Sequence, residues 1–171
     1  MNKKLFSLLI LLVFAMGMAI PTAPVAAEGA IRTQYTGVEN PTYCSDPFVD
    51  SRCALGSDGE TQILPNGKSI TRDVVWVIQF VSPEPRFNGI TIATVNILPG
   101  SNNHAMIVGR WHLEPYEYDG YWEGEVNIAI DATGFLSKYT AKGYGDLEGQ
   151  VIMGINDNGN LSGTIIELPT P

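Results

Sequence analysis

From Trp122 to Leu168 the chain alternates apolar and polar residues in short runs, and glycines interrupt the runs at close intervals: Gly124, then Gly143, Gly145 and Gly149, then Gly159 and Gly163. Side chains on a strand alternate between two faces, so a period of two selects strand over helix, and clustered Gly and Asn between runs select tight turns. A chain written this way folds as consecutive antiparallel strands.

The same grammar extends upstream. Ile31 to Val38 forms a first strand, and Gln62-Ile63-Leu64 and Ser69 to Val81 flank the hairpin-type turn Pro65-Asn66-Gly67. In Ser69 to Val81, the residues Val74, Trp76, Ile78 and Phe80 share one face, while Val75 and Val77 share the other with Asp73 and Gln79. Apolar residues on both faces indicate a strand covered on two sides, or a bent one. Gly89 to Leu98, Ala105 to Leu113, Tyr121 to Asp131, Phe135 to Lys142, Leu147 to Met153 and Leu161 to Leu168 follow, the last two joined by Asn156-Asp157-Asn158-Gly159-Asn160. No helical periodicity interrupts them. The expectation is an eight- to nine-stranded antiparallel barrel, with a β-sandwich as the alternative. Closure of a barrel removes the strand edges that would otherwise pair with other chains.

The amino terminus carries an address. Lys3 and Lys4 precede an uncharged apolar run from Leu5 to Ile20, and Val25-Ala26-Ala27 offers small residues for cleavage before Glu28. Residues 1–27 read as a secretory signal peptide. The apolar run is short of the roughly 20 residues a spanning helix needs, and Pro21 and Pro24 follow it at once. Cleavage leaves residues 28–171 as a single domain without stable membrane insertion, its segment 28–59 irregular after the first strand. Of ten Lys and Arg, removal of Lys3 and Lys4 leaves eight against eighteen Asp and Glu, a net charge of −10. Phosphate binding requires clustered Lys and Arg, so a nucleic-acid partner is excluded.

Cys44 and Cys53 are the two cysteines of the chain. In an oxidising compartment so close a pair forms one disulfide, worth roughly 2 to 3 kcal/mol through loop closure. The spacing is not that of a Cys-x-x-Cys redox motif, and with His104 and His112 the only histidines, a zinc site lacks ligands.

Trp122-Glu123-Gly124 followed by Gly143-Tyr144-Gly145-Asp146-Leu147-Glu148-Gly149 resembles the carboxy-terminal half of small bacterial secreted barrels related to the allene oxide cyclase and dirigent-like superfamily. The resemblance covers about a third of the chain and is carried by glycines and one tryptophan. It implies an eight-stranded antiparallel barrel with an apolar lumen in which a lipid-derived or phenolic intermediate is held during cyclisation or coupling. None of that family's functional residues maps onto a position of this sequence, and the disulfide-bearing segment is no part of its pattern.

Three clusters are candidates for chemistry. Arg110, His112 and Glu114 lie on one strand face, and if Trp111 and Leu113 pair with Gly124 and Trp122, Arg110 falls opposite Glu125 and His112 opposite Glu123. Facing inward, Arg110, His112, Glu123 and Glu125 would form an acid/base site. Facing outward they form a solvated ladder worth at most about 1 kcal/mol per pair. Glu114, Glu117 and Asp119 offer carboxylates for calcium, but the segment lacks EF-hand spacing and reads more simply as a turn. Trp111, Tyr116, Tyr118, Tyr121 and Trp122 could stack on a flat ligand or close one end of the domain as a small core. Nothing in the sequence calls for a cofactor.

Three functions are compatible with these residues. First is a structural or protein-interaction module whose barrel is packed solid. Second is a barrel that binds an apolar or aromatic small molecule. Third is a lumenal isomerase or cyclase using His112, Glu123 or Arg110, the activity that the resemblance implies. The outward or inward aim of the Arg110 face distinguishes them.

Overall fold

The computed structural model describes residues 29–45, 49–100 and 104–169. The signal peptide expected over residues 1–27 lies outside them. Among the described residues no helix is long and apolar enough to cross a membrane. The chain forms β1 (Ile31–Asn40), two short 3₁₀ turns (Tyr43–Ser45 and Ser51–Leu55), β2 (Glu60–Ile63), β3 (Ser69–Val81), a third 3₁₀ turn (Pro85–Phe87), β4 (Gly89–Pro99), β5 (Ala105–Pro115), β6 (Gly120–Asp131), β7 (Gly134–Gly145), β8 (Gln150–Asp157) and β9 (Asn160–Glu167).

These nine strands form one antiparallel sheet in the order β1-β9-β8-β7-β6-β5-β4-β3-β2, and an extra pairing of β1 with β3 closes it into a ring. The ring is barrel-like and uneven. β1 pairs with β9 over eight positions, Ile31 opposite Glu167 through Val38 opposite Asn160. It meets β3 over only three, Val38 to Asn40 against Val81 to Gln79. Beyond Asn40 the free edge of β3 is taken up by Ser57, which bridges Val75, and then by β2, which pairs with Ser69 to Arg72. Turn chemistry falls where the sequence puts it. Gly67 (φ 78°) turns β2 into β3, and Asn158 (φ 51°) with Gly159 (φ 88°) turns β8 into β9, the left-handed pair a two-residue hairpin needs.

One end of the ring is closed by large side chains. Phe87, from the turn between β3 and β4, is fully buried and sits among Tyr35 (ring centroids 4.3 Å apart), Phe80 (5.3 Å) and Tyr139 (5.9 Å). Trp122 is also fully buried, and its indole Nε1 donates to the Arg86 carbonyl oxygen at 2.6 Å, fixing the turn that carries Phe87. Arg86 pairs with Glu84 within that turn and ties the turn to β9 through Glu167. Leu147 completes the plug. The sequence pattern places Leu147 at the start of a strand; instead it lies in the turn Asp146–Gly149, and β8 begins at Gln150. The glycines Gly145 (φ 64°) and Gly149 (φ 80°) bend the backbone so that Leu147 folds back inside.

The two apolar faces of β3 have two destinations. Val74 and Phe80 join the core inside the ring, with Trp76 and Ile78 packed against it. Val77, on the opposite face, is buried, beside the segment held by the Cys44–Cys53 disulfide. Arg52 within that segment binds Asp50 and Glu114, the latter on β5. This pins the loop across the outer surface of β3 to β5.

Phe87→Ala should lower unfolding stability by about 3–5 kcal/mol in denaturant titration, the cost of emptying a filled aromatic site. A change within about 0.5 kcal/mol would place Phe87 in a solvated loop instead.

Candidate functional site

The register between β5 and β6 puts Trp111 opposite Gly124, Leu113 opposite Trp122, Arg110 opposite Glu125 and His112 opposite Glu123. Trp111 and Leu113 are buried inside, so the Arg110 face lies on the outer surface, where Arg110, Glu123 and Glu125 are exposed. Among the described residues neither cross-strand pair closes to an ion pair; His112 Nε2 instead meets Glu114 Oε1 at 3.3 Å and its ring packs 4.7 Å from Tyr121. Glu114 is shared between His112 and Arg52. No group of three His, Cys, Asp or Glu side chains positioned for a metal ion occurs among the described residues, Glu117 and Asp119 included.

The aromatic candidates separate. Tyr121 stacks on Tyr144 on the outside (4.9 Å). Tyr116 is exposed, its hydroxyl accepting from Gln79 Nε2 at 3.0 Å. Tyr118 is partly buried against the core, and Trp122 belongs to the closed end. Trp111, by contrast, lines a cavity.

That cavity, of about 580 Å³, lies in the open half of the ring and extends to Val75 and Val77 beside the disulfide segment. Trp111 and Tyr139 floor it, their rings 5.4 Å apart and edge to face. Its walls are small or branched residues, among them Ala93, Val95, Ile107 and Val126, and Pro41, Cys44, Cys53, Gly56, Ser57 and Asp58 form a lip. Inward-facing Trp76, Ile78, Ile128 and Ile130 pack against the core on one side and keep partial exposure where they border the cavity. The disulfide loop therefore does more than staple: it completes the wall where β1 has left the ring.

Polar side chains also line this space: Glu39, Thr91, Ser137 and Asn156, with Ser57 and Asp58 at the lip. Glu39 shares the inward face of β1 with Tyr35, which is itself buried, and its backbone N–H donates to the Gly159 carbonyl at 2.8 Å. Burial raises the Glu39 carboxyl above its ordinary value, and a hydrogen bond from Asn156 partly offsets this. Asn156 is oriented for that role, since its Oδ1 already accepts from Gly159 N–H at 2.8 Å. Below Glu39 the hydroxyls of Tyr35 and Tyr139 are hydrogen-bonded at 2.7 Å. They rest against Gly154 and Gly163, where an added Cβ would collide with the Tyr35 oxygen. Burial pushes both phenols far up, and the Glu39 charge adds to this at Tyr139. Thr91, 3% exposed, has a hydroxyl without a hydrogen-bond partner.

None of these polar residues stands out in the sequence. Glu39 follows the last residue of the expected first strand, and Asn156 falls in the expected turn. The available signal was parity: Glu39 lies four residues after Tyr35, and on a strand that is the same face.

No family model matches the chain, and neither the curated proteins nor the solved structures yield a match. Function is therefore read from the lumen itself.

A carboxyl raised by burial favours its protonated form in the folded state, so its contribution to stability is present at low pH and is lost as pH rises through the folded value. Glu39→Gln should accordingly raise the melting temperature at pH 7, with the gain vanishing below about pH 4, under the unfolded value of a glutamate. A variant that melts lower at pH 7 would mean that the carboxylate is stabilised in the fold.

Proposed function

We propose that this protein is a small-molecule-binding barrel whose ring holds an apolar or aromatic ligand in the lumen between the Trp111–Tyr139 floor and the disulfide lip. The observation that carries this reading is the unfilled cavity of about 580 Å³, a volume typical of small-molecule sites, which are mostly apolar with a few placed polar groups. A packed interior would be the cheaper solution for a domain that acted only through its outer surface, because unfilled space forfeits dispersion contacts. A secreted location accords with the Cys44–Cys53 disulfide, since such bonds persist in oxidising compartments.

A ligand that binds only the folded state raises its stability, by about 2.7 kcal/mol at a hundredfold excess over Kd. In a thermal-shift panel of phenolics, indoles, fatty acids and glycans, an apolar or aromatic class should raise the melting temperature by several degrees. Ala93→Phe, which projects a ring into the cavity, should retain cooperative unfolding and lose that response. A flat response across the panel would favour a structural or protein-interaction module.

A second reading is supported by Glu39 above the Tyr35–Tyr139 pair: a lumenal isomerase or cyclase, the activity implied by the resemblance to allene oxide cyclase and dirigent-like barrels. A carboxyl raised by burial is suited to take a proton from a bound carbon acid and return it elsewhere on the same molecule. Deuterium from solvent would then enter the bound compound, and Glu39→Gln would stop it.

A further inference from the structure

Resting on the lumen-binding reading, we propose that the natural occupant is a protonated amine on an apolar aromatic body, its ammonium set against Glu39 and its body among the rings of the cavity. Glu39 lines the cavity, and among the described residues no basic side chain lies within ion-pair distance of it. The arginines that do form pairs are committed elsewhere, Arg52 to Asp50 and Glu114 on the outside and Arg86 to Glu84 and Glu167 at the closed end. A half-buried carboxylate facing an apolar space with no cation beside it is costly, and a cation brought by the ligand offsets that cost.

The second observation is Thr91. Its hydroxyl is buried and unpartnered on the cavity wall, an oxygen that gains a hydrogen bond when a donor enters the lumen. An ammonium has three donors and no acceptor, which suits a cavity lined by acceptor oxygens, the Glu39 carboxylate and the unpartnered Thr91 hydroxyl among them. Trp76, Phe80, Trp111, Phe135 and Tyr139 present aromatic rings to the same space, and ring faces attract cations most strongly when water is excluded. The chain's net charge of −8, from eighteen acidic residues against ten basic ones, enriches cations near the mouth. A fatty or aromatic acid would instead place a second negative charge beside Glu39. The same carboxylate that weakens the empty fold thus selects the occupant, a trade of stability for binding of a common kind.

Isothermal titration of the purified protein near neutral pH with tryptamine, its alcohol tryptophol and the acid indoleacetate isolates the charge, because the three share one ring system. The expected result is tryptamine binding at least about tenfold more tightly than tryptophol, with indoleacetate weakest. Glu39→Gln should erase the difference between amine and alcohol while leaving tryptophol binding in place. Tryptophol binding as tightly as tryptamine, or a difference that survives Glu39→Gln, would overturn the amine inference and leave the lumen-binding reading standing. If none of the three binds while another class in the thermal-shift panel does, the amine inference falls alone; if nothing binds in either experiment, both fall.

Discussion

The ring depends on β1, a single strand that serves two neighbours of unequal length. It satisfies β9 along most of its span and gives β3 only its last three residues, Val38 to Asn40. Sheet edges left unpaired are sites of aggregation, so the remainder of β3 needs another partner. The chain supplies it locally: after Asn40 it folds into the disulfide-bearing segment, bridges Val75 through Ser57, and pairs β2 beyond. Closing the ring this way leaves a lip made of loop rather than strand, and the mouth of the lumen lies there. Fold closure and ligand access are thus set by the same feature, held by the disulfide and by the Arg52 pairs to Asp50 and Glu114.

Residue size along the inward faces decides where the interior is filled. At the closed end the side chains are Phe87, Trp122, Leu113, Leu147, Ile152 and Ile165, each fully buried. Toward the mouth the inward residues are smaller, Ala93 and Val95 on β4 and Ser137 on β7, and the cavity borders them. Glycines repeat the logic one layer lower. Gly124 lies opposite Trp111, and Gly154 and Gly163 make room for the tyrosine hydroxyls. Polar groups in the lumen are costly where unpaired, and their presence beside unfilled space is the physical reason to read the interior as a site.

The strand pattern was legible because a period of two and turn glycines report directly on local geometry. Alternation of Trp111 and Leu113 with Arg110 and His112 gave the faces, and the register that follows if Trp111 and Leu113 pair with Gly124 and Trp122 is the one observed, with Arg110 opposite Glu125 and His112 opposite Glu123. The expectation that β3 is covered on two faces also holds, with the lumen on one side and the disulfide segment on the other. The lumenal polar residues were not legible for a reason intrinsic to barrels. A polar residue facing a cavity and a polar residue facing solvent occupy equivalent positions in an alternating pattern, and only the identity of the inward face separates them. On β6 and β7 that face is marked by Trp122, Val126 and Tyr139. On β1 it is marked by Tyr35 alone, which left Glu39 indistinguishable from a surface carboxylate. Leu147 escaped because its burial comes from a turn that folds back into the ring rather than from a strand.

The central claim is that the open half of the ring is empty space accessible to an apolar guest. Apolar cavities of sufficient size stay dry and take up xenon, so methyl NMR spectra of the protein under xenon pressure test it directly. Saturable shifts confined to the methyl groups of Val95, Ile107, Val126 and Ile128 are expected, with those of Leu113, Ile152 and Ile165 at the closed end unmoved. Shifts that stay weak, unsaturated and scattered over surface methyls would show a filled barrel and contradict it.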